Sequence, residues 1–167
     1  MTLHLAHEVL RIWRQAGEPD LPAIDRLAGL IHPDYPERPE VFANRLALHP
    51  SGVRLAELDG APVGYAIGHP WRGEPPLLDR VLPALPDAPE HYWLHDLALL
   101  PEVRGRKLGR AALLLLRGDA LGLGLRRMRL AAVGNALPYW ETAGFRPIDD
   151  ALPQCYGAGA TAMQWDG

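Results

Sequence analysis

Apolar and polar positions along the chain fall into short alternating runs and longer runs spaced for helices. Val9–Gln15 (VLRIWRQ) alternates and predicts a first strand. Gly17-Glu18-Pro19-Asp20 is a turn, and Pro22 suits the first position of a helix capped by Asp20 or Leu21. That helix, roughly Ala23–Ile31, places Ile24, Leu27, Ala28 and Ile31 on one face. A stiff proline-rich loop over 32–37 leads to a second helix at about Pro39–Leu48. Val53–Leu58 and Ala61–His69 read as strands, and Asp59-Gly60 between them is a two-residue hairpin signal. Arg127–Val133 and Ala160–Trp165 alternate and read as later strands, with a helix between them that stops at Gly144.

The stretch from Tyr92 to Leu116, YWLHDLALLPEVRGRKLGRAALLLL, has three parts. Tyr92–Leu99 is apolar and rich in strand formers, Pro101–Lys107 is a basic turn, and from Leu108 an unbroken Leu/Ala/Arg run predicts a helix. Leu113–Leu116 are apolar all round and predict burial on two sides. A strand that passes through a glycine-bearing loop into a helix presents unpaired backbone N–H groups, which together form an anion site. Arg104, Arg106, Lys107 and Arg110 add positive charge around it, so the expected guest is a phosphate or pyrophosphate. No Gly-Lys-Ser/Thr follows the turn, which excludes a P-loop, and Gly105 and Gly109 alone do not make a dinucleotide fingerprint.

Composition narrows the class. The 167 residues are expected to form one domain, residues 1–167, with room for a core. The net charge of −3 offers no general attraction to nucleic acid or to an anionic membrane, so the basic cluster is a local feature. No run reaches the length of a membrane span, and MTLHLAHEVL lacks the charged start and cleavage pattern of a secretory signal. Cys155 is the single cysteine, which excludes an internal disulfide and makes a reducing cytoplasm the default location. Six prolines interrupt the segment from His69 to Pro89, with Leu77–Leu82 able to form a short helical turn. Its Trp71 and its leucines predict that it packs on the domain. No zinc-type Cys/His spacing occurs, so no metal is expected.

The strand ending Leu97-Ala98-Leu99-Leu100-Pro101 and the turn Arg104-Gly105-Arg106-Lys107-Leu108-Gly109 resemble the signature of the GCN5-related N-acetyltransferase (GNAT) family, Arg/Gln-x-x-Gly-x-Gly/Ala after a strand. Lys107 stands at the family's first motif glycine, a departure. Downstream, Asn135 followed by Tyr139-Trp140-Glu141 and Gly144-Phe145 is similar to the family's second signature. The order of elements matches as well, so the resemblance covers nearly the whole chain. It implies a mixed α+β fold, the acyl-CoA N-acyltransferase fold, with a central, mostly antiparallel mixed sheet flanked by helices. Residues 69–89 then look like an insertion. The implied activity is transfer of an acetyl group from acetyl-CoA to an amine acceptor, a small molecule by preference, by direct attack without a covalent enzyme intermediate. Within the same fold, a protein or peptide N-acetyltransferase and a non-catalytic acyl-CoA-binding module are the alternatives. The resemblance leaves monomer and homodimer both open.

By the same resemblance, the loop Arg104–Arg110, including Leu108 and Gly109, holds the pyrophosphate of coenzyme A. The backbone of Leu97, Ala98 and Leu99 pairs with its pantetheine arm. Asn135 either contacts the cofactor or caps a helix. His95 and Asp96 occupy the places of the family's base, and a histidine titrates near neutrality. As neighbours on a strand they are expected on opposite faces, with packing and loop-tethering as their alternative roles. Tyr35 and Trp71 belong to loops expected at the acceptor mouth, where they either hold the acceptor or anchor the loops. Four residues before Gly144, where many members carry a tyrosine that protonates the leaving thiolate, stands Trp140. Tyr139 is one position earlier, so either Tyr139 swings toward the sulfur or Trp140 fills the slot. Cys155 matches no nucleophile motif and reads as a small buried thiol.

Overall fold

The computed structural model describes residues 3–167, with side chains from His7 onward. In chain order the elements are α1 (Leu3–Ile12), β1 (Trp13–Gln15), α2 (Leu21–Ile31), α3 (Pro39–Leu48), β2 (Val53–Leu58), β3 (Ala61–Trp71), β4 (His91–Leu99), α4 (Leu108–Gly122), β5 (Arg127–Ala132), α5 (Leu137–Thr142), β6 (Arg146–Pro147) and β7 (Thr161–Asp166). The strands make one seven-stranded sheet in the order β1-β2-β3-β4-β5-β7-β6. Neighbours are antiparallel except β4 and β5, which run parallel. That one parallel pair needs a crossover, and α4 supplies it.

Two apolar clusters cover the two faces of the sheet. Leu108, Ala112, Leu113 and Leu116 of α4 pack with Trp13, Tyr92, Leu94 and Met128, and α1 joins them through Val9, Leu10 and Ile12. On the other face Ile24 and Leu27 of α2 and Phe42 and Leu46 of α3 pack on Leu55, Tyr65, Ile67 and Ala98. The Asp59-Gly60 turn has φ of 51° and 78°, both positive as a tight hairpin between right-twisted strands requires.

Five local expectations are corrected. Cys155, expected to be buried, is exposed at the surface, where its Sγ accepts from the Leu78 N–H at 3.4 Å. Residues 9–12 belong to α1, and only Trp13–Gln15 pair as a strand. Val9, Ile12 and Trp13 also satisfy a three-to-four-residue spacing, and packing against α4 selects the helix. β3 continues past His69 to Trp71, with Pro70 opposite Tyr92. Residues 77–82 form a turn at Leu78-Asp79 with no helix. Helix α4 is covered by the sheet and by α1 and buries Leu113 and Leu116, but Leu114 lies on its remaining face and is 56% exposed.

Candidate active site

β4 changes register once. Asp96 lies opposite Ile67, but the next pair is Leu94 with Gly68, so His95 is an extra residue in β4. A bulge of this kind reverses the alternation of side chains. Before it, Tyr92 and Leu94 point to the α4 face; after it, Leu97 and Leu99 do, and Ala98 faces α2 and α3. His95 and Asp96 therefore emerge on the same side and line one cleft, which corrects the expectation that they diverge. β4 and β5 pair only at Tyr92–Met128 and Trp93–Arg129. Beyond Trp93 the two strands part, and β4 has no partner strand on its β5 side. The cleft opens at this fork, walled by Leu94, Leu97, Leu130, Val133, Ala136 and Trp140.

The loop after β4 delivers the chain to the first turn of α4. A short turn at Pro101–Val103 is followed by Gly105 at φ 80° and Lys107 at φ 63°. Lys107 thus holds the left-handed conformation that glycine adopts at no steric cost. Arg104, Arg106, Lys107 and Arg110 are exposed around the turn, and Arg104 Nε donates to the Leu99 carbonyl at 3.2 Å. Gly109 is buried under Tyr139: a Cβ there would lie 2.2 Å from the Tyr139 hydroxyl. The open N–H groups of the first turn, the positive helix end and the arginines together make an anion site.

At the other end of the cleft two histidine–carboxylate pairs meet. Asp96 accepts a hydrogen bond from His32 Nε2 at 2.9 Å and another from the Tyr65 hydroxyl. Burial alone would raise the Asp96 carboxyl, but these donors and the nearby His95 hold it below its ordinary value. Burial works against a charged His32, and the Asp96 carboxylate outweighs it, so the imidazole is raised. His95 Nε2 pairs with Glu37 Oε1 at 2.8 Å, with side chains 1% and 6% exposed. Burial pushes Glu37 up, while His95 and the Asp79 amide bring it below its usual range. Residues 72–88 roof this end. Asp79 N–H donates to Glu37, the Tyr156 hydroxyl to the Pro76 carbonyl, and Arg45 Nη1 to the Arg80 carbonyl.

The model of the acetyltransferase (GNAT) family matches residues 12–145. This chain belongs to that family. Members are acyl-CoA N-acyltransferases. None of the curated protein sequences matches the chain. Among solved structures, the N-acetylglutamate synthase of Neisseria gonorrhoeae, complexed with coenzyme A and N-acetyl-glutamate, is similar with a TM-score of 0.72 at 18% identity, over 92% of this chain and 34% of the synthase. The chain thus spans about a third of that protein. Arabidopsis thaliana Naa50, complexed with the bisubstrate analogue CoA-Ac-MVNAL, gives 0.71 at 14% identity, over 93% of this chain and 97% of that one. The loading GNATL domain of CurA from Lyngbya majuscula gives 0.75 at 15% identity, over 92% and 96%. At these identities the likeness is one of fold, and the fold is the GNAT fold.

Within this GNAT chain the expected site residues separate into groups. Leu97, His95, Asp96 and Tyr35 line the cleft. Leu99, Arg104–Arg110 and Gly109 stand at its α4 end. Trp140 is 8% exposed and fills the cleft wall, with Tyr139 edge-on to it at 5.0 Å and turned to Gly109. Asn135 is exposed beside Ala136, the residue at the N-terminus of α5, which has no side-chain cap. Trp71 does not line the cleft; its indole N–H donates to the Glu74 carbonyl at 2.7 Å. Glu37 and His32 join these expected residues in the cleft although no motif marks them. The one signal for them was their place in the rigid loop 32–37, and nothing local links that loop to β4. Among the described residues no cluster could hold a metal, and no helix is long and apolar enough to cross a membrane.

Proposed function

We propose that this GNAT chain works as one acetyltransferase domain and transfers the acetyl group of acetyl-CoA directly to the amine of a small molecule. The observation that carries this reading is the fork between β4 and β5. It leaves the β4 backbone from Leu94 to Leu99 without a strand partner on the side that runs toward the first turn of α4. In this reading the α4 turn and Arg104, Arg106, Lys107 and Arg110 hold the pyrophosphate. The β4 edge pairs with the pantetheine arm, which brings the thioester to the bulge at His95 and Asp96. Backbone N–H groups freed by the bulge suit the oxyanion of the tetrahedral intermediate. Tyr139, turned to Gly109, stands near α4 rather than in the cleft wall. With Trp140 in that wall, the thiolate takes its proton from the attacking nitrogen or from water.

A small acceptor is favoured over a peptide because residues 72–88 bridge the α2–α3 loop, α3 and the C-terminal loop across the acceptor end. The paired carboxyls Glu37 and Asp96 suit an ammonium there. Thiol release from acetyl-CoA, measured with a panel of small primary amines and with short peptides, tests both points. Turnover with small amines is expected. Release with peptides alone counts for a peptide acetyltransferase. Coenzyme A binding with no release for any amine counts for a non-catalytic module. Calorimetry should show that Gly109→Glu, which must displace Tyr139, loses coenzyme A binding while the protein stays folded. Unchanged affinity in that variant removes the loop from the site.

A further inference from the structure

His32 follows α2 and faces the bulge of β4. Its Nε2 is fixed 2.9 Å from Asp96 Oδ1, and Asp96 is in turn held by Tyr65. A neutral ring that donates from Nε2 to a carboxylate carries its lone pair on Nδ1. Among the described residues no protein group pairs with that Nδ1. The His32 side chain is 29% exposed and lines the cleft. The other histidine of the cleft is arranged the opposite way: the His95 side chain is 1% exposed and its unpaired Nδ1 is buried. A base must reach the proton it removes, so access separates the two rings.

We infer that His32 is the group that takes the proton from the acceptor ammonium, with Asp96 and Tyr65 as positioning residues. This rests on the acetyl-transfer reading. The ammonium gives one proton to His32 Nδ1, and its freed lone pair forms the C–N bond to the thioester carbonyl carbon. The C–S bond then breaks, the nitrogen's second proton goes to the thiolate, and His32 returns its own proton to water. The products are the amide, free coenzyme A thiol and one proton. The groups that set the charge of His32 are Asp96 on β4, Glu37 after α2 and Arg104 before α4. The first two carboxylates favour the imidazolium and the guanidinium opposes it. Tyr35, Tyr65 and His95 complete the surroundings.

The test is the pH dependence of thiol release from acetyl-CoA with the best amine of a panel that includes benzylamine, putrescine and glycine methyl ester. In the native protein kcat/KM should rise with pH through an inflection above the ordinary histidine value of about 6.5. His32→Gln should lower kcat/KM at pH 7 by about a hundredfold or more and abolish the inflection, with coenzyme A affinity unchanged. Asp96→Asn should move the inflection to lower pH. His32→Asn gives a second variant if the first does not fold. A loss under about threefold with the same inflection, in a native protein that turns over, overturns the role of His32 and leaves the transfer reading intact. No turnover of any amine by the native protein overturns the reading, and the base with it. Proton NMR titration of the His32 ring checks the pair without activity: its pKa should fall in Asp96→Asn, and an equal value in both proteins overturns the pairing.

Discussion

Asp119 shows how one side chain can hold several elements. On α4 it accepts from the Tyr92 hydroxyl at 2.6 Å and from Ser51 Oγ at 2.7 Å, and it pairs with His49 Nε2 at 2.6 Å. Burial alone would raise this carboxyl, and the three donors overcome it and bring it to about 2. Its folded value lies below the unfolded one, so its contribution is full above roughly pH 4 and is lost as pH falls through about 2. Asp119→Asn should therefore cost about 2 kcal/mol at pH 7. In urea unfolding the gap to the native protein should close as the pH is lowered from 5 toward 2. A gap that stays constant over that range would mean that the carboxylate charge is not what the site uses.

At the scale of elements, the bulge of β4 and the segment over 72–88 together make the cleft. The bulge turns His95 and Asp96 to one side, and the segment closes that side. The segment has little core of its own: Leu82 is buried, while Leu77 and Val81 are 43% and 51% exposed. It is held by polar ties, chiefly the two-way pair in which Asn44 Nδ2 donates to the Leu82 carbonyl and Leu82 N–H donates to Asn44 Oδ1, each at 2.9 Å. Asn44→Ala removes both and leaves a half-buried amide unpaired, a loss of roughly 1–3 kcal/mol. Limited proteolysis should then cut within 72–88 faster, while α4 and the sheet stay protected. Equal cutting rates would show that the segment is held by its apolar contacts.

For the whole molecule, coenzyme A should act as a stabilising ligand, because its proposed site joins β4, α4 and the fork with β5. At a hundred times its Kd it should add about 2.7 kcal/mol. For a chain of this size that raises Tm by roughly 5–10 °C. Arg104, Arg106 and Arg110 are exposed, so the rise should shrink between 0.05 and 0.5 M salt as the Debye length falls through ~10 Å. A Tm that ignores coenzyme A would count against the site. A rise independent of salt would assign the binding to the apolar fork and not to the arginines.

The sequence by itself determined what neighbouring residues decide. The strand, basic turn and helix over 91–122, the Asp59-Gly60 hairpin and the bounds of α3 were all legible. Each depends on local spacing, turn chemistry or an unbroken run of helix formers. The motif glycines and arginines pointed to the family for the same reason, since the anion site is built within one short stretch. Tertiary structure decided the rest. Residues 9–12 fit two periodicities, and contact with α4 chose between them. The bulge at His95 arises from the register between β3 and β4, which no single strand encodes. His32 reaches Asp96 across 64 residues and Glu37 reaches His95 across 58. Such pairs exist only once α2 is laid against the sheet, so the proposed acceptor end of the cleft is a property of packing, whereas the proposed cofactor end is a property of sequence.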